Sequence, residues 1–288
     1  FETLDDADFL YLFSRTWLKL HQKFRGNHLD VLHPGTDPDL YCPVSKTAVD
    51  PSVIFLGHMT KPWLETELDR IVPTLNGGTV RFKEIRPWIH EYISNPGVLH
   101  DGTELWKTLN IDVESIDDPA LYYDVTTRLF REGRRLSAID RVLESGFAIH
   151  FYGNENWLLR ERYQTRYRGM LSSPHEMNDA FNQNTILLHD GDMPHFRVFD
   201  GMAAGLLILR PDIGSDDWAG LDFEEEQEYL TYRLDAKNLS CAEQMHNLVQ
   251  RDLRMQRRAR ILATHTWAHR ATKVLNDLKT SSKRKDVV

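Results

Sequence analysis

Short apolar runs of strand length recur along the chain and alternate with segments that have helical spacing. The clearest runs are Ser52–Leu56, 147–152 and 185–189. They are continuous rather than alternating, which is typical of parallel strands that helices bury on both faces. The pattern therefore predicts an α/β fold with a Rossmann-like, doubly wound sheet from about residue 52 onward.

The segment between residues 58 and 119 mixes short helical patterns with proline and glycine, and predicts a helical insertion. Residues 120–144 predict a long amphipathic helix in which Gly133 is a candidate break. Further strands are predicted at 9–13, 28–33, 206–209 and 228–232, and further helices at 15–24, 174–181, 195–204, 241–249, 252–262 and 264–278.

Composition excludes several classes of protein. The 35 Lys and Arg against 43 Asp and Glu give a net charge of −8, which argues against nucleic acid as a partner. No apolar run approaches the roughly 20 residues of a membrane span. Cys42 and Cys241 match no disulfide or metal pattern, so we expect a reducing compartment and a cytoplasmic location.

Ligands of an open parallel sheet bind beyond the carboxyl ends of its strands. This geometry selects Gly57 after one strand, Tyr152 to Asn154 at the end of another, and the polar segment 189–195. That segment leads into a helix that begins near His195, and the unpaired amides of a helix start suit a phosphate. Arg197 lies in the first turn, where its guanidinium can grip phosphate oxygens.

Glycine motifs of other nucleotide-binding families are missing. No two glycines are spaced i, i+2, so G-x-G-x-x-G is absent, and no G-x-x-x-x-G-K-[ST] or G-x-S-x-G occurs. The absences argue against a nicotinamide-dependent or epimerase-like Rossmann enzyme and weaken a hydrolase. The interpretation that remains open is a site in which a helix start and an arginine hold a nucleoside diphosphate.

The block HFRVFDGMAAGLLILRPD, residues 195–212, resembles the sugar-nucleotide motif of GT-B glycosyltransferases, most nearly the spore-coat-maturation-like family. Four weaker pieces occur in the family's order, at 13–43, 53–57, 146–157 and 265–275. One departure is Phe196, which stands where that family carries glutamate. Segment 58–119 matches nothing in the family.

The resemblance implies a division of the chain. Residues 52–262 would form the C-terminal domain that binds the sugar nucleotide, after the end of an acceptor-side domain and a linker at 1–51. A closing helix at 263–280 and a disordered tail at 281–288 would follow. Because the chain begins at Phe1 and not at Met, we expect it to be a piece of a longer protein.

The resemblance also implies roles for residues. Asp200 would accept hydrogen bonds from the ribose hydroxyls, and Arg197 would hold the diphosphate. Asp192, which is separated from Asp200 by seven residues, would lie near the sugar. The predicted catalytic residues are Asp192 and His195, and the predicted nucleotide-sugar-binding residues are Gly57, Tyr152, Gly153, Asn154, Arg197, Val198 and Asp200. Two interpretations stay open for the arginines of the long predicted helix: they form a second phosphate contact, or they lie on a solvated helix face. These arginines are Arg128, Arg131, Arg134 and Arg135.

The sequence thus predicts a glycosyltransferase that moves a sugar from a nucleoside-diphosphate donor to an unknown acceptor. Its arginine and helix start would stabilise the leaving group without a metal, and no cofactor besides the donor is expected. The alternative is a catalytically inactive protein of the same fold that binds sugar nucleotides or serves as a scaffold. Aspartate in place of glutamate and Phe196 are the features that favour this alternative.

Overall fold

The computed structural model describes residues 8–20, 28–44, 51–93, 102–191, 193–212, 216–233 and 239–285. Nine strands form one five-stranded sheet and two two-stranded sheets within these ranges. The strands are β1 (Phe9–Leu12), β2 (His28–Val31), β3 (Ser52–Leu56), β4 (Ile71–Pro73), β5 (Thr79–Arg81), β6 (Ala148–Tyr152), β7 (Ile186–Leu188), β8 (Leu207–Pro211) and β9 (Tyr229–Tyr232).

Helices cover both faces of the five-stranded sheet. In chain order the α-helices are α1 (Arg15–Leu20), α2 (Glu65–Leu68), α3 (Phe82–Ile93), α4 (Gly102–Thr108), α5 (Pro119–Tyr123), α6 (Leu129–Glu144), α7 (Glu161–Gln164), α8 (Pro174–Asn182), α9 (Phe196–Ala203), α10 (Ala242–Gln250), α11 (Arg254–Thr264) and α12 (Trp267–Lys285). Shorter helical turns occur at Val113–Ser115, Asp124–Arg128, Glu155–Leu159 and Asp216–Trp218. None of the described helices is long and apolar enough to cross a membrane.

The five-stranded sheet has the order β6-β3-β7-β8-β9, and every neighbouring pair is parallel. The predicted α/β fold with a doubly wound parallel sheet is therefore confirmed. From β3 the chain first crosses to one side, to β6, and then to the other side, to β7. The direction of winding thus reverses between β3 and β7, and the crevice at their carboxyl ends is the expected ligand site.

Two hydrophobic clusters explain why the strands are continuously apolar. Val53 and Phe55 of β3 point to one face, where they pack with α6 and α10. Ile54 and Leu56 point to the other face, where they pack with α8, α9 and α11. Successive side chains of a strand alternate between the faces, so a sheet buried on both sides needs apolar residues at every position.

The insertion is not purely helical, which corrects the prediction for residues 58–119. Strands β4 and β5 form an antiparallel hairpin, with Val72 paired to Val80. The hairpin packs with α3, α4 and the start of α6 around a core of its own that includes Phe82, Ile89 and Leu105. The insertion is thus a small subdomain that sits on the carboxyl end of β3.

Helix α6 runs without a break through Gly133, so the candidate break at this residue is absent. The irregularity lies one turn earlier, where Asp124–Arg128 forms a π-helix between α5 and α6. Gly133 itself is buried within α6.

The amino-terminal elements pack against the last helix. Strands β1 and β2 are parallel, and Tyr11 of β1 donates a hydrogen bond of 2.9 Å to Asp277 of α12. Helix α12 continues to Lys285, so residues 281–285 of the predicted disordered tail at 281–288 are helical, while 286–288 lie outside the described residues. The predicted linker also contacts the chain at the start of α12, because Thr36 and Thr266 form a backbone bridge.

A close backbone approach brings together the loops after β3 and β6. A Cβ atom on Gly153 would lie 2.2 Å from the carbonyl oxygen of Gly57, and Gly153 has a φ of +155°. Trp157 donates from its indole nitrogen to that same oxygen at 2.8 Å. Only glycine fits between these two backbones.

We expect Gly153→Ala to lower the free energy of unfolding by about 2–5 kcal/mol, because the methyl group collides with backbone that cannot move independently. Urea denaturation measures this change. Gly169→Ala is the matched control: Gly169 also has a positive φ, +95°, but no atom lies within 4 Å of its Cβ position. The control should cost only about 1–2 kcal/mol, and equal losses in the two variants would contradict the steric explanation.

Candidate active site

Hydrogen bonds between backbone and side chains join the loops that follow the carboxyl ends of β3 and β6. The amide of Asn154 donates to His58 Nδ1 at 3.0 Å. The Asn154 side chain accepts from Met59 N and donates to Met59 O, both at 2.9 Å. These bonds make the floor of the crevice rigid before any ligand arrives.

Two adjoining cavities open at this edge of the sheet. The larger, which we call the arginine pocket, has a volume of about 520 Å³ and the second, the aspartate pocket, about 440 Å³. His195 and Arg197 line both. The arginine pocket is also lined by Ser14, Thr16, Trp17, Trp106, Thr126, Thr127, Phe130, Arg131, Arg134, Arg135, His189, Asp190, Gly191, Met193 and Asp217. The aspartate pocket is also lined by Leu56, Gly57, His58, Tyr152, Gly153, Met170, Leu171, Ser172, Ser173, Pro174, Met177, Phe196 and Asp200.

An ion pair forms the floor of the arginine pocket. Arg135 of α6 donates from Nε to Asp190 at 2.7 Å and from Nη1 to the carbonyl oxygen of His58. Burial works against ionisation of Asp190, but the charge and hydrogen bond of Arg135, together with His189 and Arg197, outweigh it and hold the pKa of Asp190 below its ordinary value. One cation of the pocket is therefore balanced by an internal anion.

Arg197 is a second cation of the site, and it forms no ion pair with any described residue. It is half-buried between the two pockets and makes no hydrogen bond or ion pair within the described chain. Burial lowers the pKa of Arg197, and although Asp190 raises it, Arg135 lowers it further. A partly desolvated guanidinium with its donors unused is the arrangement that a phosphate oxygen can satisfy.

His189 and His195 are neutral at neutral pH. Burial, and after it the positive charge of Arg197, lowers the pKa of His195 to about 4. Burial likewise lowers the pKa of His189 to about 4, against the opposing charge of Asp190. The neutral His189 ring carries its proton on Nε2, because that nitrogen lies 2.7 Å from the carbonyl oxygen of Met193.

Asp200 is held by a residue far away in the sequence. The Thr36 hydroxyl, itself fully buried, donates to Asp200 Oδ1 at 2.8 Å. Thr36 is fixed in turn by backbone bonds to His265 at 2.9 Å and Trp267 at 3.1 Å. The second oxygen of Asp200 has no partner among the described residues, and the side chain lines the aspartate pocket. Burial raises the pKa of Asp200 to about 7.

The structure brings together most of the residues selected from the sequence. Gly57, Tyr152, Gly153, His195, Arg197 and Asp200 all line the pockets. Val198 does not, because its side chain is fully buried in the core between α9 and the sheet. Asn154 does not either, because its amide is used to bind Met59. Asp192 lies outside the described residues.

The four arginines of the long helix separate into two groups. Arg128 turns to the insertion, where it pairs with Glu67 at 3.0 Å and stacks 3.8 Å above the ring of Trp63, so neither the predicted phosphate contact nor a solvated face describes it. Arg131, Arg134 and Arg135 line the arginine pocket. Sequence spacing alone does not separate these groups, because the π-helix before α6 shifts the helix faces.

Several lining residues were missed by the sequence analysis. Ser14 and Asp217 lie together in the arginine pocket, where the Ser14 hydroxyl donates to both Asp217 oxygens at 3.0 Å. Ser172 and Ser173 line the aspartate pocket just before α8. Their position at a helix start, in a loop after β6, was the available signal. No group of three or more His, Cys, Asp or Glu side chains in the described ranges converges as metal ligands would.

Sequence comparison assigns the family. A model of the glycosyl transferase-like family matches residues 131–276, about half of the chain, and the chain belongs to this family. The match covers α6, the sheet from β6 onward and α9 with its arginine, so the resemblance to GT-B glycosyltransferases is confirmed. The narrower resemblance to the spore-coat-maturation-like group stays a prediction. No curated protein matches the chain in sequence.

Solved structures agree in fold. The chain is similar to TarM with a TM-score of 0.50 and 11% identity, over 95% of this chain and 43% of that one. It also resembles a sucrose-phosphate synthase from Thermosynechococcus elongatus, with a TM-score of 0.45 and 12% identity, over 96% of this chain and 59% of that one. For a glycosyltransferase from Rickettsia africae ESF-5 the TM-score is 0.45 and the identity 11%, over 95% of this chain and 63% of that one. The chain thus spans between 43% and 63% of the length of these proteins.

The raised pKa of Asp200 makes a prediction about stability. Between the ordinary value of 3.8 and about 7, the folded chain keeps a proton that the unfolded chain releases, so the contribution of Asp200 to stability falls as the pH rises. Asp200→Asn keeps an acceptor for Thr36 and removes the ionisation. We expect it to be more stable than the unsubstituted chain by about 2–4 kcal/mol near pH 8, with the gain fading towards about pH 4.

Urea unfolding at a series of pH values measures this difference. Asp179→Asn is the control, since Asp179 is an exposed carboxylate on α8. It should change stability little at any pH. A gain for Asp200→Asn that does not depend on pH would contradict the buried, partly protonated state of Asp200.

Proposed function

We propose that the chain binds a nucleoside-diphosphate sugar across both pockets and transfers the sugar to an acceptor without a metal. The observation that carries the proposal is Arg197, a half-buried cation with unused donors that lines both pockets at the start of α9. A ligand that crosses this point must place an anionic group between two larger portions. A diphosphate between a nucleoside and a sugar has this form.

The diphosphate would lie against the first turn of α9. The amides of Phe196 and Arg197 donate no hydrogen bond within the described chain, so the helix start adds unused donors to the guanidinium. As the bond to the sugar breaks, negative charge grows on the leaving diphosphate. Arg197, the helix amides and the neighbouring Arg134 can stabilise that charge because they are in place beforehand.

The nucleoside would occupy the aspartate pocket. Its walls include the apolar side chains of Leu56, Tyr152 and Met177, which suit the face of a base, and the open oxygen of Asp200 suits a ribose hydroxyl. Ser172 and Ser173 add polar groups at the far side. This arrangement supports the ribose role that the family resemblance implies for Asp200.

The sugar would then project into the arginine pocket. His195 lies at the junction and is neutral, so it can accept or donate a hydrogen bond at the sugar without adding a charge. Asp192 remains the second predicted catalytic residue. The two free cysteines fit a reducing compartment, and we propose a cytoplasmic location.

Isothermal titration with UDP-, GDP-, CMP- and dTDP-sugars, followed by a donor-hydrolysis assay, tests the proposal. We expect one nucleotide class to bind and its sugar to be released slowly to water. Binding without hydrolysis or transfer would favour the inactive sugar-nucleotide-binding alternative. Binding of a nicotinamide dinucleotide, with no sugar nucleotide bound, would contradict the proposal.

Arg197→Ala should weaken binding of the nucleoside diphosphate by about 1.5–3 kcal/mol, the range for a hydrogen bond to a charged group. Binding of the free nucleoside should change little, because the nucleoside lacks the phosphates. Arg162→Ala is the control, since Arg162 is an exposed arginine paired with Asp140 away from both pockets. An unchanged dissociation constant for Arg197→Ala would remove this residue from the site.

Thr36→Val should weaken nucleoside binding about three- to tenfold and leave pyrophosphate binding unchanged, because it removes the bond that orients Asp200. The loss of this donor also raises the pKa of Asp200 further, so the weakening should be largest below about pH 7. Thr36→Ser keeps the hydroxyl and should bind as the unsubstituted chain does. Titration calorimetry at several pH values measures both variants, and equal weakening by Ser and Val would rule out the hydroxyl as the cause.

A further inference from the structure

One wall of the arginine pocket comes from the insertion and the helix that follows it. Trp106 of α4, Thr126 and Thr127 of the π-helix, and Phe130 of α6 line the pocket, and all precede residue 131, where the family match begins. A π-helix at a pocket wall is a frequent mark of a functional site. These four wall residues therefore lie outside the region that the family model matches.

The positions of residues along α6 define the direction from the floor of the pocket outward. Arg135 marks the floor, because it pairs with Asp190 beside Arg197. Arg131 lies one turn earlier on the same side of the helix, at a rise of about 6 Å. That distance is about the width of one sugar ring. Arg131 thus lies one ring beyond the position proposed for the diphosphate.

Arg131 differs from its neighbours in its charge balance. Arg128 pairs with Glu67 and Arg135 pairs with Asp190. Arg131 is exposed, and within the described chain its one hydrogen bond is the donation to the phenol oxygen of Tyr123 at 2.9 Å. A neutral phenol orients the guanidinium but leaves its charge and most of its donors available to an anion.

The other lining groups suit a sugar ring. Trp17, which also lines the pocket, is 45% exposed, and Trp106 packs edge-on against Phe130 with 5.6 Å between ring centres. Aromatic surfaces cover the apolar face of a pyranose, while the hydroxyls of Thr16, Thr126 and Thr127 can bond to its polar edge.

We propose that this wall is a subsite for a sugar ring that carries a carboxylate, and that Arg131 is the residue that selects the acidic ring. The inference rests on the proposed function, since the diphosphate position defines which end of the pocket is the floor. Planar guanidinium and planar carboxylate match in a two-pronged hydrogen bond, and one arginine balances one negative charge. The acidic ring can be the transferred sugar or part of the acceptor.

The test uses pairs of ligands that differ only in the acid. For the donor, glucose and glucuronic acid are each linked to the nucleoside diphosphate that binds in the panel above. For the acceptor, methyl glucoside and methyl glucuronide are titrated into the chain saturated with that nucleoside diphosphate. We expect the acidic member of one pair to bind at least about tenfold more tightly, the effect of a hydrogen bond to a charged group. The pair that shows the preference identifies the source of the acidic ring.

Arg131→Gln should abolish the preference and leave the affinity for the neutral member unchanged. Arg131→Lys should keep part of it, because charge remains but the two-pronged geometry is lost. Arg162→Gln, an exposed arginine outside the pocket, is the control and should keep all of it.

Equal affinity for the acidic and neutral members of both pairs would overturn the inference, as would a preference that survives Arg131→Gln. Binding of the nucleoside diphosphate to the unsubstituted chain separates the two failures, because the proposed diphosphate site then stands even where the preference for the acid is absent. Failure of every nucleoside diphosphate to bind the unsubstituted chain would instead remove the proposed function, and the inference with it.

Discussion

The contact between Gly57 and Gly153 is the constraint on which the site depends. These glycines end two neighbouring parallel strands, and a Cβ on Gly153 would lie 2.2 Å from the Gly57 carbonyl oxygen. Because the backbones meet, Trp157 can reach that carbonyl, and the next residue, His58, can accept from both Asn154 and Arg135. The floor of the crevice and the ion pair to Asp190 are consequences of that approach.

The charges of the site follow from how deeply each group is buried. His189 and His195 are held neutral, and burial favours the protonated form of Asp200, so groups that would otherwise complicate the charge balance contribute little at neutral pH. The pKa of Asp190 stays low against burial because Arg135 is paired with it and Arg197 lies nearby. The net effect is a pocket whose positive potential comes from arginines with fixed charge, which suits a dianionic group over a wide pH range.

Local patterns explain which features could be predicted from the sequence. The strands and α9 were found because each carries its own signal in a continuous apolar run or a helix start. The hairpin of β4 and β5 was missed because its strands have three residues each, and Ile71 is exposed. The environment of Asp200 was beyond reach, because its partner Thr36 lies 164 positions away and only the packing of the linker on α12 brings them together.

Phe196 bears on whether the sugar-nucleotide motif of residues 195–212 has lost its function. Its ring lies 5.7 Å from Phe13 and 6.0 Å from Trp267, centre to centre, so it joins the end of β1 and the start of α12 to the first turn of α9. A glutamate at this position would remove that packing while adding charge next to Arg197. Phe196 thus has a packing role of its own, while Arg197, the next residue, lines both pockets. The departure from the family pattern is therefore compatible with a working diphosphate site.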